Sequence, residues 1–326
     1  EETIRDTGRA VEKNLKGFAF GFDTASGAAA PPAELSPRRL AAQPPSPAVA
    51  PLVERVDLLL QGVRDVAFEG VRKVVDFQDP AYGALYLDRL EEVVAIDCAA
   101  GGETRFFRLS NAVAKHLALW MAYDDVVRVA DLKTRSSRFK RFREDVRAED
   151  GQIVRVFEYM HPRVEEICDL MPTWLAKSIL GSALSRRVMT GFIGKGRRVA
   201  TTNVSGFLML DVIASLRFLR RKSFRFAIEQ DRIGVWLGHI ADTAPHDYEL
   251  ACAIAGLQRL IKGYGDTHAR GLANFEQIVV ALDRIRNEKD PAASLTRLRD
   301  SALKDEDGVA LKSELARLGA VSPIAA

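Results

Sequence analysis

Cysteine is scarce and scattered in this 326-residue chain: the three thiols, Cys98, Cys168 and Cys252, share no CxxC or CxxxC spacing. That excludes a disulfide framework and the thiolate quartets that hold zinc or iron–sulfur clusters. A reducing cytoplasm is the compartment that follows. Long apolar runs are also missing, since none reaches the roughly 20 residues that cross a bilayer, and no basic, apolar, small-residue series opens the chain. No membrane partner is expected. Nor does one sign of charge dominate: the formal net charge is +3, with acidic and basic residues interleaved, so nucleic acid is not implied as a partner. The five histidines, His116, His161, His239, His246 and His268, form no HxxxH or HExxH pair, and no metal site is expected.

What is present is an apolar fraction of 47% with 28% charged residues, enough for a sizeable core in one large or two modest domains. The chain opens at Glu1 without a methionine, already inside an amphipathic pattern, EETIRDTGRAVEKNLKGFAFG, in which Ile4, Val11, Leu15 and Phe18 recur at near-helical spacing. It reads as a piece cut from something longer. Alanine, proline and serine then displace periodic hydrophobics from about Asp23 to Pro51, as in an extended linker. The expected organisation is a terminal helix over residues 1–22, a linker over 23–51, a helical domain over 52–320 and a tail over 321–326.

Beyond the linker the pattern is almost wholly helical. Leu52, Val56, Leu59, Val63 and Val66 step along one face. Asp79-Pro80 offers an N-cap and a first-turn proline, Gly101-Gly102 marks a break, and Ser110 can cap a helix running through Leu132. Ser136 to Ala148 reads as a short, very basic helix. One departure is GQIVRVFEYMHP, Gly151 to Pro162, whose branched and aromatic residues alternate in part and predict an extended or hairpin segment near 151–160. Helical patterns resume at Val164 and continue to Leu318. The fold class is therefore mainly α, a multi-helix array, without the alternating strands of a nucleotide-binding crevice.

Four motifs invite chemistry. GFIGKGRRVATT, Gly191 to Thr202, lacks the GxxxxGK[ST] and GxGxxG orders that cradle phosphate; it is read as a solvated basic loop, with an anionic patch of a partner subunit or a diphosphate-bearing cofactor as the alternative. RFLRRKSFRF, Arg217 to Phe226, interleaves arginine with phenylalanine, a texture that can follow a nucleic-acid backbone. The simpler account is a helix–helix turn capped by Ser223. In AYDDVVRVADL, adjacent Asp124 and Asp125 on a helix point in different directions and make no acid/base pair, and Asp124 with Arg128 forms an i,i+4 ion pair. The most informative stretch is IKGYGDTHARGLANF, Ile261 to Phe275, where Tyr264, Asp266, His268 and Arg270 surround three glycines. Gly263 and Gly265 suit positive φ, and Asp266 or Thr267 can cap the next helix. His268 and Arg270 exceed what a cap needs and can hold a carboxylate or phosphate, so these four residues are the candidate ligand or partner contact; no catalytic residue is assigned.

Together with DFQDPAYGALYLDRL (Asp76 to Leu90) and LALWMAYDDVVRVADL (Leu117 to Leu132), this stretch resembles the C-terminal helical region of indolepyruvate ferredoxin oxidoreductase in its beta-subunit form. The resemblance implies that residues 1–22 end a preceding domain of the gamma type shared with other 2-oxoacid oxidoreductases. It implies an accessory helical region of an enzyme that oxidatively decarboxylates an aryl 2-oxoacid to an acyl-coenzyme A. Thiamine diphosphate, magnesium and the iron–sulfur clusters are then expected in the partner subunit that binds thiamine diphosphate, with ferredoxin reached indirectly. The chain has neither a GDG-type thiamine motif nor cysteine quartets of its own. The alternative is a non-catalytic helical interaction or regulatory module.

Overall fold

The computed structural model describes residues 11–25, 46–160, 163–193, 197–305 and 307–319. Most of the expected linker, the expected tail, residues 1–10 and the His161-Pro162 turn lie outside the described residues. The chain divides into two compact units, Glu1–Pro47 and Ala48–Ala326. In the first, helix α1 (Val11–Ala25) carries Phe18 and Phe22, exposed and with ring centroids 6.4 Å apart.

The second unit is mainly α, as its periodicity demands. Helices α2 (Ala50–Leu58), α3 (Gln61–Phe77), α4 (Pro80–Ala99) and α5 (Arg108–Met121) build the first part of the core. On α3 the buried Val63, Ala67, Val71 and Val74 keep strict helical spacing. Asp79 caps α4 by accepting the Tyr82 amide at 2.8 Å, with Pro80 in the first turn. On the inner face of α4, Tyr82 and Tyr86 are fully buried, and their hydroxyls donate to the Met121 and Ala114 carbonyls at 3.2 and 2.9 Å. Each buries a large ring without stranding its polar end. A 3₁₀ turn, Gly102–Arg105, lies in the break after α4. Ser110 is no cap: it is buried in the first turn of α5, where its amide and hydroxyl both donate to Asp97 Oδ2 at 2.8 and 2.6 Å.

The expected continuous helix through Leu132 is two helices. Asp125 caps α6 (Val126–Thr134) by accepting the Arg128 amide at 2.6 Å, so Asp124 falls in the link rather than on a helix. A side-chain acceptor one residue ahead of the helix competes with continuation. Arg128 accordingly pairs with Asp76 at 2.8 Å and Asp131 at 2.9 Å, not with Asp124.

The basic helix follows as α7 (Ser136–Asp145) and buries nothing. Strand β1 (Phe157–Met160) falls in the extended segment read from sequence. After the short helices α8 (Val164–Cys168), α9 (Thr173–Leu180) and α10 (Ala183–Ile193) comes its partner β2 (Arg197–Ala200), antiparallel, with Phe157 opposite Ala200 and Met160 opposite Arg197. The basic loop of the sequence reading thus contributes a strand. The three helices hold a small core around Val164, Cys168 and Ala176, against which Phe224 from later in the chain also packs.

The remaining elements are α11 (Val204–Ser215), a 3₁₀ segment Leu216–Lys222, α12 (Phe224–Thr243), α13 (Tyr248–Ala255), a 3₁₀ segment Gly256–Leu260, α14 (Gly265–Val280), α15 (Leu282–Ile285), α16 (Pro291–Lys304) and α17 (Val309–Arg317). Ser223 caps α12 by accepting the Phe226 amide at 3.2 Å. Around the crossing of α5, α12 and α14 the Trp120 ring meets Trp236 at 5.5 Å and Phe275 at 5.3 Å. Among the described residues no helix is long and apolar enough to cross a membrane.

Candidate functional site

The turn before α14 takes the form its glycines allow, with φ of +71° at Gly263 and +61° at Gly265. A third glycine, Gly271, lets α14 lie against the preceding segment, because a Cβ there would run into the Leu260 carbonyl oxygen. The four residues singled out in sequence then part company. Tyr264 stands 63% exposed and precedes α14 without capping it through its side chain. Asp266 also makes no cap; in the first turn it pairs with Arg163, which holds its carboxyl below the usual carboxylate range. Arg270 is half-buried. His268 is buried, and it points to a different environment.

Arg225, on α12, donates through Nη2 to His268 Nε2 at 2.7 Å. A guanidinium has no acceptor, so His268 is neutral, with its proton on Nδ1. Burial and the Arg225 charge hold its pKa down to about 4. Beside the pair lies Glu229, fully buried. One of its oxygens accepts the Trp120 indole N–H at 2.7 Å. The other sits 2.8 Å from Arg225 Nε, in ion-pair contact but out of line for a hydrogen bond. Asp169 approaches Arg225 from α8's C-terminal end at 3.4 Å, and burial raises its carboxyl pKa to about 6 against the opposing pull of that arginine. His268 is therefore engaged from within the protein.

A cleft of about 560 Å³ opens beside this network and is lined by Tyr264, Asp266 and His268, but not by Arg270. Its charges are mostly spoken for inside the protein: Arg163 with Asp266, Arg225 with Asp169, Lys133 with Glu158 at 2.6 Å and Glu165 with Arg186 at 2.8 Å. Asp125, also on its wall, makes a two-pronged pair with the buried Arg220 at 2.6 and 3.1 Å. Arg220 further donates to the Phe77 carbonyl at 2.6 Å and to Gln78 at 2.8 Å, and its guanidinium stacks 3.9 Å from the Phe77 ring centroid. The arginine-rich RFLRRKSFRF segment is thus a helix–helix turn, as expected, but its central arginine is a buried pin rather than a solvated charge.

A second, larger cleft of about 1050 Å³ shares Asp124 and His268 with the first. Six cationic side chains line it, Lys73, Arg108, Lys115, Arg259, Lys262 and Arg299, against a single carboxylate, Asp124, whose pKa burial raises. His116 is on its wall too. Its Nδ1 lies 2.9 Å from Gln258 Oε1, while the Gln258 amide donates to the Ile261 carbonyl at 3.2 Å. That chain leaves the Gln258 oxygen to accept, so His116 carries its proton on Nδ1 and a lone pair on Nε2. Burial is the main cause holding it neutral, aided by Lys115, Arg259 and Arg299.

The model of a family of unknown function, DUF6537, matches residues 63–281. The chain belongs to that family. No curated protein and no solved structure matches it. All three segments that carry the resemblance to the oxidoreductase region lie inside the DUF6537 match, and so do both shared cleft residues. Arg299, on α16, falls outside it.

The described part of this DUF6537 chain offers poor metal chemistry. No group of three or more His, Cys, Asp or Glu side chains is placed to hold an ion among the described residues. Cys168 is buried, and burial pushes the half-buried Cys252 thiol up to about 11, far from the thiolate a metal or cluster requires. The large cleft has no signature in the sequence because its cations come from four separate places along the chain. His116, set among apolar residues of a helix, is buried and satisfied by Gln258; its place on a cationic wall has no local signal.

Proposed function

We propose that this chain is an accessory helical region of a cytoplasmic oxidoreductase subunit acting on indolepyruvate or another aryl 2-oxoacid with ferredoxin as acceptor. Thiamine diphosphate, magnesium and iron–sulfur clusters are assigned to the partner subunit. The observation that carries this reading is that the three resemblance segments, distant in sequence, form one packed centre. Asp76 meets Arg128 at 2.8 Å, the Phe77 and Tyr123 rings meet at 5.2 Å, Tyr82 bonds the Met121 carbonyl, and Phe275 meets Trp120 at 5.3 Å. Residues that mark a family and also hold each other in place support a shared fold unit rather than three chance similarities. The chain supplies scaffold and surface; the reacting atoms lie elsewhere.

Co-purification of the chain with the thiamine-binding subunit tests this, read out by assembly and by indolepyruvate-dependent ferredoxin reduction. Wild type is compared with Tyr264→Ala/Asp266→Ala, which alters exposed loop residues, and with His268→Ala/Arg270→Ala. Assembly with turnover is expected for wild type, and loss of assembly in the first variant makes the loop a docking element. Turnover lost with assembly kept makes it part of the active site. No association and no support of turnover by the wild-type chain leaves the second reading, a self-contained interaction or regulatory module. The exposed Tyr264 at the tip of a glycine turn favours that module as runner-up.

A further inference from the structure

The cationic cleft has an unbalanced charge that the fold itself does not use. Arg108 is satisfied by Glu249 through two hydrogen bonds at 3.0 and 2.9 Å, and Arg299 by Asp300 at 2.8 Å. Lys73, Lys115, Arg259 and Lys262 have no carboxylate within ion-pair distance among the described residues, and Lys115, Arg259 and Lys262 are exposed. A concave wall of one sign concentrates the field and draws in the opposite charge. Arg299 is seated close to the backbone here, since a Cβ at Gly256 would lie 2.8 Å from its Nη1. At about 1050 Å³ the cleft stands at the upper end of small-molecule sites, which run to roughly 1,000 Å³.

The second observation lies on the same wall. Phe106 and Phe107 are consecutive residues in the left-handed region, at φ +54° and +48°. A non-glycine residue held there is strained by roughly 1–2 kcal/mol. Two amides fix the geometry, Phe106 N–H donating to the Glu103 carbonyl at 3.3 Å and Phe107 N–H to the Gly102 carbonyl at 2.8 Å. Phe107 packs on the core, which accounts for its side chain. Phe106 lines the cleft and stands 84% exposed, so the strain sets a bare aromatic face beside the cations. Stability alone favours glycine at that position.

We propose that this cleft binds a nucleoside diphosphate-type ligand, its phosphates against Lys115, Arg259, Lys262 and Arg299 and its flat base against Phe106. Guanidinium and ammonium groups bind phosphate oxygens through charge-assisted hydrogen bonds, and a base stacks on an aromatic ring whatever its edge pattern. The proposal does not rest on the oxidoreductase reading, and it is tested without any partner.

The test is calorimetric titration of the full 326-residue chain with ADP, inorganic pyrophosphate and adenosine, at low and at moderate salt. ADP is expected to bind most tightly and adenosine least, with affinity falling as salt rises. Arg259→Ala/Lys262→Ala should weaken ADP and pyrophosphate alike by about tenfold or more. Phe106→Gly should weaken ADP by about tenfold and leave pyrophosphate unchanged; because glycine relaxes the strained φ, a folding defect cannot account for the loss. Absence of ADP binding to the wild-type chain overturns the proposal. So does ADP binding that ignores the charge variant, or a Phe106→Gly variant that weakens pyrophosphate as much as ADP.

Discussion

The two clefts are neighbours, with Asp124 and His268 on the wall of both, yet they resolve their charges in opposite ways. In the smaller one, carboxylates outnumber cations and nearly every charge has found a partner inside the protein, the Asp125–Arg220 pair being buried outright and the buried Glu229 meeting a half-buried Arg225. In the larger one, cations outnumber carboxylates six to one, and four of the six have no carboxylate within ion-pair distance among the described residues. A polar cluster that satisfies itself specifies a structure; one left unsatisfied at an open surface is poised for something from outside. Titratable residues in a cleft are therefore a weaker sign of a ligand than the residue of charge left over once internal pairs are removed.

If the smaller cleft is structural, breaking its pins should unfold the chain. Asp125→Ala strands the buried Arg220 and removes the α6 cap, and it should lower the unfolding free energy by about 3–5 kcal/mol, measured by urea denaturation. A loss below about 1 kcal/mol would break the comparison.

Next in size is a pH effect. His268, free to titrate near 6.5 when unfolded, is held down to about 4 in the fold. The unfolded state takes up that proton first, so stability falls as pH drops from about 6.5 to about 4. Asp169 opposes it: raised from 3.8 to about 6, it binds its proton first in the fold, and stability rises as pH falls through that window. Asp169→Asn should leave the histidine effect uncovered, with the variant losing on the order of 2 kcal/mol more than wild type between pH 6.5 and 4. Parallel stability profiles for the two proteins would mean that burial does not raise the Asp169 carboxyl.

Smaller effects belong to the larger cleft. Phe106→Gly should raise stability by about 1 kcal/mol, seen as an upward shift in Tm. Arg259→Ala/Lys262→Ala should change it by no more than about 0.5 kcal/mol, since neither side chain supports the fold. A large stability loss in that variant would return these charges to structure.

Local rules were legible in the sequence where one residue decides them. Asp79 with Pro80, Ser223, the positive-φ glycines and the extended segment at Phe157–Met160 all read correctly because each signal sits within one turn of its effect. Pairings were not legible. Asp125 and Arg220 are 95 residues apart, and nothing local distinguishes a buried arginine from the solvated ones beside it. Strand β2 hid in a basic loop because its partner precedes it by a whole helical segment. Of the site residues, Tyr264, Asp266 and His268 do share a cleft. The cationic wall, assembled from α3, α5, α16 and the stretch around Arg259 and Lys262, has no one-dimensional signature at all.

The pairing of Met160 with Arg197 has a topological consequence for everything between them. The two ends of that segment are clasped side by side, and the helices enclosed share an apolar centre to which Phe224 of α12 adds, while the Phe224 and Arg225 amides donate to the Met171 and Asp169 carbonyls at 2.8 and 3.2 Å; the segment is a closed loop buttoned onto the start of α12. Replacing residues 161–196 by a two-residue hairpin turn would discard Arg163, Glu165, Glu166 and Asp169 from the rim of the smaller cleft and would also leave the Phe224 and Arg225 amides without their acceptors. The cationic wall loses none of its members by that excision. The segment thus shapes the cleft on one side of Asp124, while the cationic wall on the other side is built without it.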